Sequence, residues 1–260
     1  MTPDQESLLT ERRGDGVVLL TLNRPDQRNA LATPLLEAVA AQLQGADLAP
    51  DVRAVVITGN PKVFAAGADL DELARSDGSE PVESPRTRAW RAISDFRKPL
   101  IAAVEGWCLG AGSELMLRCD VVVAGRGAKI GLPETNLGII PGAGGTAILP
   151  RMIGRAAAME MILTGEPISG ERAYQLGLIA RVVDDGEALA AASSLAAKLA
   201  ARAPRALAAA KASVHESLRR PLEEHLRFER ELFLSLLGGE EKQEGIAAFR
   251  QKRAPVWPQG

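Results

Sequence analysis

Strand-like and helix-like segments alternate along this chain as far as Val183, and after Asp185 only helical signals remain. The most constraining stretch is Arg53-Ala54-Val55-Val56-Ile57-Thr58-Gly59, whose apolar residues are consecutive rather than alternating. A strand of that kind is buried on both faces, as in a parallel sheet covered by helices. Further strands are expected at 16–23, 100–104, 120–124, 129–131 and 178–183. Helices are expected between them. The first, 33–44, opens on Thr33-Pro34, which supplies a cap and a first-turn proline. Others are expected at 69–74, 87–96, 112–118, 144–152, 155–163 and 169–176. Segments 185–202, 204–219, 221–237 and 241–251 read as helices broken by Pro204, Pro221 and Gly238-Gly239. The order implies an α/β (α+β) layered architecture with an appended helical part.

The 260 residues suffice for one large domain, or one domain with an appendage. A net charge of −2 gives no global footprint for nucleic acid or an anionic membrane. No apolar run reaches the ~18 residues needed to span a bilayer. Cys108 and Cys119 sit in apolar surroundings and make neither a disulfide framework nor a metal site, which fits a reducing compartment. The start is acidic and polar, without a leader pattern, so a cytoplasmic location is expected. The two histidines, His215 and His225, fall in charged helical stretches and are expected to face solvent. A Ser-His-Asp triad or a His-based metal site is then disfavoured.

Two glutamates, Glu114 and Glu134, stand twenty residues apart in settings marked by glycine or proline. Each alone reads as a first-turn carboxylate favoured by the helix dipole. Together they are the simplest equipment for placing a water and moving a proton. Gly110-Ala111-Gly112 precedes the first of them, and Phe64-Ala65-Ala66-Gly67-Ala68-Asp69 joins another strand to a helix. Small side chains there leave backbone N–H groups accessible, and two such turns could form a two-donor hole for a developing oxyanion. Ser113 lacks the glycines of a nucleophile elbow and reads as a packing residue. Gly142-Ala143-Gly144-Gly145-Thr146-Ala147 matches a dinucleotide fingerprint, but Pro141 interrupts the approach. A tight turn opening a helix is the better reading. The polar 75–85 stretch is a loop of the length that often covers a site.

In order, Leu22-Asn23-Arg24-Pro25, Asn29-Ala30-Leu31, the 64–69 turn, Lys98-Pro99-Leu100-Ile101-Ala102-Ala103-Val104, both glutamate motifs, 137–146 and the tail segments 244–249 and 252–253 resemble the crotonase (enoyl-CoA hydratase/isomerase) superfamily over nearly the whole chain. The resemblance implies a spiral of repeated ββα units. It places the active site in 1–200 and a helical oligomerisation region in 201–260, building a trimer or a dimer of trimers. It further implies that the backbone N–H groups of Ala68 and Ala111 hold the thioester oxygen, with Ala111 standing where glycine is commoner.

With both acid positions filled, by Glu114 and Glu134, the resemblance implies addition of water to a trans-2-enoyl-CoA. Glu114 would act as base toward the water and Glu134 would manage the proton at the α-carbon. Coenzyme A is then part of the substrate, and neither a separate cofactor nor a metal is expected. Arg28, Lys62, Ala66, Ala68 and Lys252 are the candidate CoA contacts. A Δ3,Δ2-enoyl-CoA isomerase or a bifunctional enzyme is the nearest alternative, and a non-catalytic acyl-CoA binding protein is another. Within the superfamily the chain looks nearest to hydratases of fatty-acid β-oxidation and of the 2,3-dehydroadipyl-CoA type.

Overall fold

A computed structural model of the chain describes residues 7–79 and 81–258. The acidic, polar start discussed above, residues 1–6, lies outside them, as does Glu80 of the 75–85 loop. In chain order the strands are β1 (Leu8–Arg12), β2 (Val17–Leu22), β3 (Ala54–Thr58), β4 (Val63–Ala65), β5 (Leu100–Val104), β6 (Trp107–Leu109), β7 (Val121–Gly125), β8 (Lys129–Gly131), β9 (Ile168–Ser169) and β10 (Arg181–Val183). The helices are α1 (Thr33–Leu48), α2 (Leu70–Arg75), α3 (Pro85–Ser94), α4 (Ala111–Met116), α5 (Gly145–Ile153), α6 (Arg155–Thr164), α7 (Gly170–Gln175), α8 (Ala188–Ala200), α9 (Pro204–Ser217), α10 (Leu222–Leu237) and α11 (Glu240–Gln251). One-turn 3₁₀ segments cover Pro25–Gln27 and Glu134–Leu137.

Six strands form a sheet in the order β1-β2-β3-β5-β7-β10, and four form a second sheet, β4-β6-β8-β9. The first sheet is parallel apart from the β1–β2 pair, the second apart from β8–β9. Between β3 and β8 the chain alternates sheets, one strand in each, and then turns into a helix or a 3₁₀ segment. This is the expected ββα spiral. The apolar runs explain the larger sheet. Leu20, Val55, Ile57, Leu100 and Ala102 face a core shared with α1 and α3, and Val17, Leu19, Val56, Ile101 and Ala103 face α8. Ala188, Ala192 and Ala196, one per turn of α8, are fully buried, so the helix lies close on the sheet.

Strands β1, β4, β6 and β9 are absent from the sequence expectation. The last three are two or three residues long, too short to show a period. The strand expected at 178–183 shrinks to Arg181–Val183, because Leu178 and Ile179 leave the ladder and plug the core.

In the tail, α9 and α10 pack on each other. His225 lies buried between them with Nε2 3.5 Å from Ser213 Oγ, contrary to the solvent-facing expectation. His215 is half-exposed, its Nε2 3.3 Å from Asp120 Oδ1. Lys211 ties the tail to the end of the sheet. Its Nζ is 2.8 Å from Asp120 Oδ2, donates to Lys98 O at 2.9 Å and lies 5.1 Å from the centre of the Phe96 ring. Both cysteines are free, and burial pushes the Cys108 thiol up to about 12 and the Cys119 thiol higher still. Among the described residues, no helix is long and apolar enough to cross a membrane.

Candidate active site

The turns that leave β4, β6 and β8 emerge side by side, because these strands are adjacent and parallel. Crevices beyond the carboxyl ends of parallel strands are where open sheets bind ligands. Pairing between β4 and β6 begins at Val63↔Trp107 and continues at Ala65↔Cys108, so β4 carries one extra residue as a bulge. Counting three residues on from the second pair leads to Ala68 on one strand and Ala111 on the other. The bulge is what puts the two alanines at equivalent positions. Asn29 holds it in place: fully buried, it donates from Nδ2 to Val63 O and Phe64 O, each at 3.1 Å, and its Oδ1 accepts from Arg24 N at 2.8 Å. Val63 O also accepts from Asn60 N at 2.9 Å. Among the described residues, no acceptor pairs with the N–H of Ala68 or Ala111. The helix after Ala68 contributes less than its dipole suggested, since the Asp69 side chain already accepts from Asp71 N and Glu72 N.

Glu114 projects from the first turns of α4 and is buried, with 3% of its surface exposed. Its Oε1 accepts from Ala143 N at 2.6 Å and Gly145 N at 2.9 Å. The glycine-rich turn that mimics a dinucleotide fingerprint therefore grips a carboxylate of the same chain. Oε2 is left for a ligand or a water. Ser113, the neighbour of Glu114, is no nucleophile: its Oγ lies 2.6 Å from Cys108 O and 2.8 Å from Gly131 O, stapling β6 to β8.

Glu134 opens the 3₁₀ turn after β8. Its Oε2 is buried without a hydrogen-bond partner among the described residues. Burial pushes the Glu134 carboxyl up to about 7, opposed by a backbone hydrogen bond and reinforced by the charge of Glu114. A carboxyl poised near neutrality suits proton transfer.

Both glutamates line one cavity of about 620 Å³, together with Gly67, Ala68, Gly110 and Ala111. The rest of its wall is mostly apolar, with Leu70, Leu73, Val82, Trp90, Leu137 and Ile139 prominent. Ala66 is shared with a second, open groove of about 1110 Å³ that carries Arg28, Lys62 and Trp107. Lys252, at the left-handed end of α11, lines neither space. No group of three or more metal-ligating side chains occurs among the described residues.

A family model described as enoyl-CoA hydratase/isomerase matches residues 12–260. The chain belongs to the enoyl-CoA hydratase/isomerase family. It is 47% identical to the 2,3-dehydroadipyl-CoA hydratase of Escherichia coli K12, over 96% of this chain and 98% of that one. A probable enoyl-CoA hydratase of Rhizobium meliloti is 43% identical, over 95% and 96%. The crystal structure of an enoyl-CoA hydratase subunit from Geobacillus kaustophilus superposes with a TM-score of 0.93 at 38% identity, covering 98% of each chain. This enoyl-CoA hydratase/isomerase family member is accordingly an enzyme, a hydro-lyase of the crotonase superfamily.

Sequence reading missed three side chains of the site. Asn29 appeared only as part of a motif, and nothing local announces that it feeds a bulge 34 residues away. Trp90 fell only within the expected 87–96 helix and is buried cavity wall. Arg118 ends the expected 112–118 helix, yet its Nη2 donates to Ala143 O at 2.5 Å and its guanidinium lies 5.1 Å from the centre of the Trp90 ring.

Proposed function

We propose that Glu114 and Glu134 carry the addition of water to a trans-2-enoyl-CoA, giving a 3-hydroxyacyl-CoA, over an oxyanion hole made by the N–H groups of Ala68 and Ala111. The supporting observation is that both carboxyls and both small-residue turns line one cavity. The thioester oxygen sits between the two N–H donors, where the charge of the enolate develops. Glu114, fixed through Oε1, presents Oε2 to the water and takes its proton as hydroxide adds to the β-carbon. Glu134, largely protonated below pH 7, supplies the proton to the α-carbon. The acyl chain lies along Leu70, Leu73, Val82 and Trp90. The CoA moiety passes Ala66 into the open groove, where Arg28 and Lys62 face its phosphates. Lys252 stays a candidate for CoA only where α11 of one protomer reaches the groove of another.

Assembly as a trimer or a dimer of trimers, through the helices after residue 200, belongs to the same reading. It is supported by the outward face of α10. The sequence places an apolar stripe of Phe228, Leu232, Phe233 and Leu236 there; Phe233 is 49% exposed, as are Leu222 and Leu226 at 71% and 51%, while Phe228, Leu232 and Leu236 are half-buried against the chain itself. A cytoplasmic location fits the bacterial relatives. The E. coli relative's substrate carries a distal carboxylate. Among cavity-lining residues described, Arg86 is the cation, held by Leu31 O at 2.9 Å and beside Glu72 at 3.6 Å. Crotonyl-CoA and 2,3-dehydroadipyl-CoA are thus the two substrates to assay by loss of enoyl-thioester absorbance. Hydration of either sustains the reading. Tight binding of both without turnover would convert it to acyl-CoA binding alone.

A further inference from the structure

Glu114 and Arg118 are four residues apart on the same short helix and its end, so their side chains leave on one face. They meet the same segment, the turn at 142–145, with opposite polarity. Ala143 N and Gly145 N point at Glu114 Oε1, and the carbonyl between those two N–H groups, Ala143 O, points at Arg118. Three successive peptide groups are thereby held in alternate directions, N–H to the acid, C=O to the guanidinium, N–H to the acid. The contact is close throughout: a Cβ on Gly144 would stand 3.4 and 3.6 Å from the two terminal nitrogens of Arg118. On its other side the guanidinium lies over Trp90, whose ring is also cavity wall.

We propose that Arg118 is a positioning residue for Glu114, fixing the peptide group that keeps Ala143 N and Gly145 N aimed at the carboxylate. Without it, the turn has no side chain on Ala143 O, and the segment that carries Ala143 N and Gly145 N is free to shift away from Oε1. Glu114 then loses the orientation that leaves Oε2 facing the water. Burial disfavours the arginine charge and the neighbouring Glu114 carboxylate supports it. The assignment rests on the reading of Glu114 as the base that takes the proton from water.

The test is a double-mutant cycle with crotonyl-CoA as substrate. Arg118→Met keeps an unbranched apolar stem against Trp90 and removes the donors. It is expected to lower kcat about 10- to 100-fold with KM changed less than about threefold. In a Glu114→Gln background the same change is expected to lower the residual rate less than about twofold, because the residue it positions no longer acts as a base. Added guanidinium should restore part of the kcat of Arg118→Ala and none of that of Arg118→Ala combined with Glu114→Gln. An unchanged kcat in Arg118→Met overturns the proposal, and so does an equal loss in both backgrounds, which marks a purely structural role. Where Arg118→Met fails to fold, Arg118→Leu, which also lacks a donor, replaces it in the cycle with the same criteria. Absence of hydration by the wild-type enzyme would instead defeat the hydratase reading, a separate outcome.

Discussion

A methyl group on Gly110 would stand 2.9 Å from Glu134 Oε1. The same methyl would lie 3.5 Å from Gly67 Cα, so Gly110 is where the two small-residue turns and the second acid converge. Its φ of 52° and ψ of −124° suit glycine alone. Gly110→Ala is expected to lower kcat at least about tenfold by displacing Glu134 and the neighbouring Ala111 N–H. Steady-state kinetics together with a melting curve check this. Wild-type kcat would show that the turn has slack the structure does not suggest.

The raised Glu134 carboxyl fixes a pH dependence. As an acid in hydration it must carry its proton, so kcat/KM for hydration is expected to fall as pH rises through about 7. In the reverse dehydration it must be ionised, and the limb inverts. Stability follows the same sign. The folded state binds this proton more tightly than an unfolded glutamate does, so stability is lost as pH rises from the ordinary carboxyl range through about 7. Glu134→Gln should flatten both dependences and melt no lower than wild type at pH 8. A limb near 7 that survives in Glu134→Gln belongs to another group.

Glu114→Gln and Glu134→Gln are each expected to lower hydration ~10²–10⁴-fold while acyl-CoA binding persists. Because both acids are proposed to act in one addition, with Glu114 on the water and Glu134 on the α-carbon, the double variant should fall little further than the worse single one. Additive losses, measured in the same assay, would mean that the two act in separate steps.

At the proposed oxyanion hole, the chemistry lies in backbone and not in side chains. Ala111→Gly keeps the N–H and should hold activity within a few-fold. Ala68→Pro deletes its N–H and should remove about 3 kcal/mol or more of transition-state stabilisation, backbone distortion included. A complex with acetoacetyl-CoA decides the matter: a thioester oxygen more than about 3.5 Å from both nitrogens places the hole elsewhere.

For assembly, Leu226→Glu combined with Phe233→Glu puts charge on the outward face of α10. Light scattering at micromolar protein is expected to show several chains for the wild type and a smaller species for this variant. A one-chain mass for the wild type would leave the face without a homotypic partner.

How much of this was legible beforehand depended on range. Apart from the largely exposed β1, the strands of the larger sheet were readable from their apolar runs, consecutive where both faces are buried, as in Val55-Val56-Ile57. Glu114 and Glu134 stood out because glycine and proline mark turns locally. β4 and β6 were invisible, being three residues each, although their turns shape the site. The hold of Asn29 on the bulge, and that of Arg118 on Ala143 O, are pairings 34 and 25 residues apart, with no periodic trace. His225 was misplaced for a related reason: its charged neighbours on α10 suggested solvent, and α9 covers it.

The bulge in β4 makes the sheet itself a measuring device. Adjacent strands run about 4.8 Å apart. Two N–H groups at that separation can each reach a single oxygen at about 2.9 Å, meeting it at about 110° to one another. The pairing of β4 with β6 starts the two turns side by side, and the proposed donors lie three residues beyond its last pair. A slip of one residue between the two strands would move one donor by about 3.3 Å and leave the oxygen with a single partner.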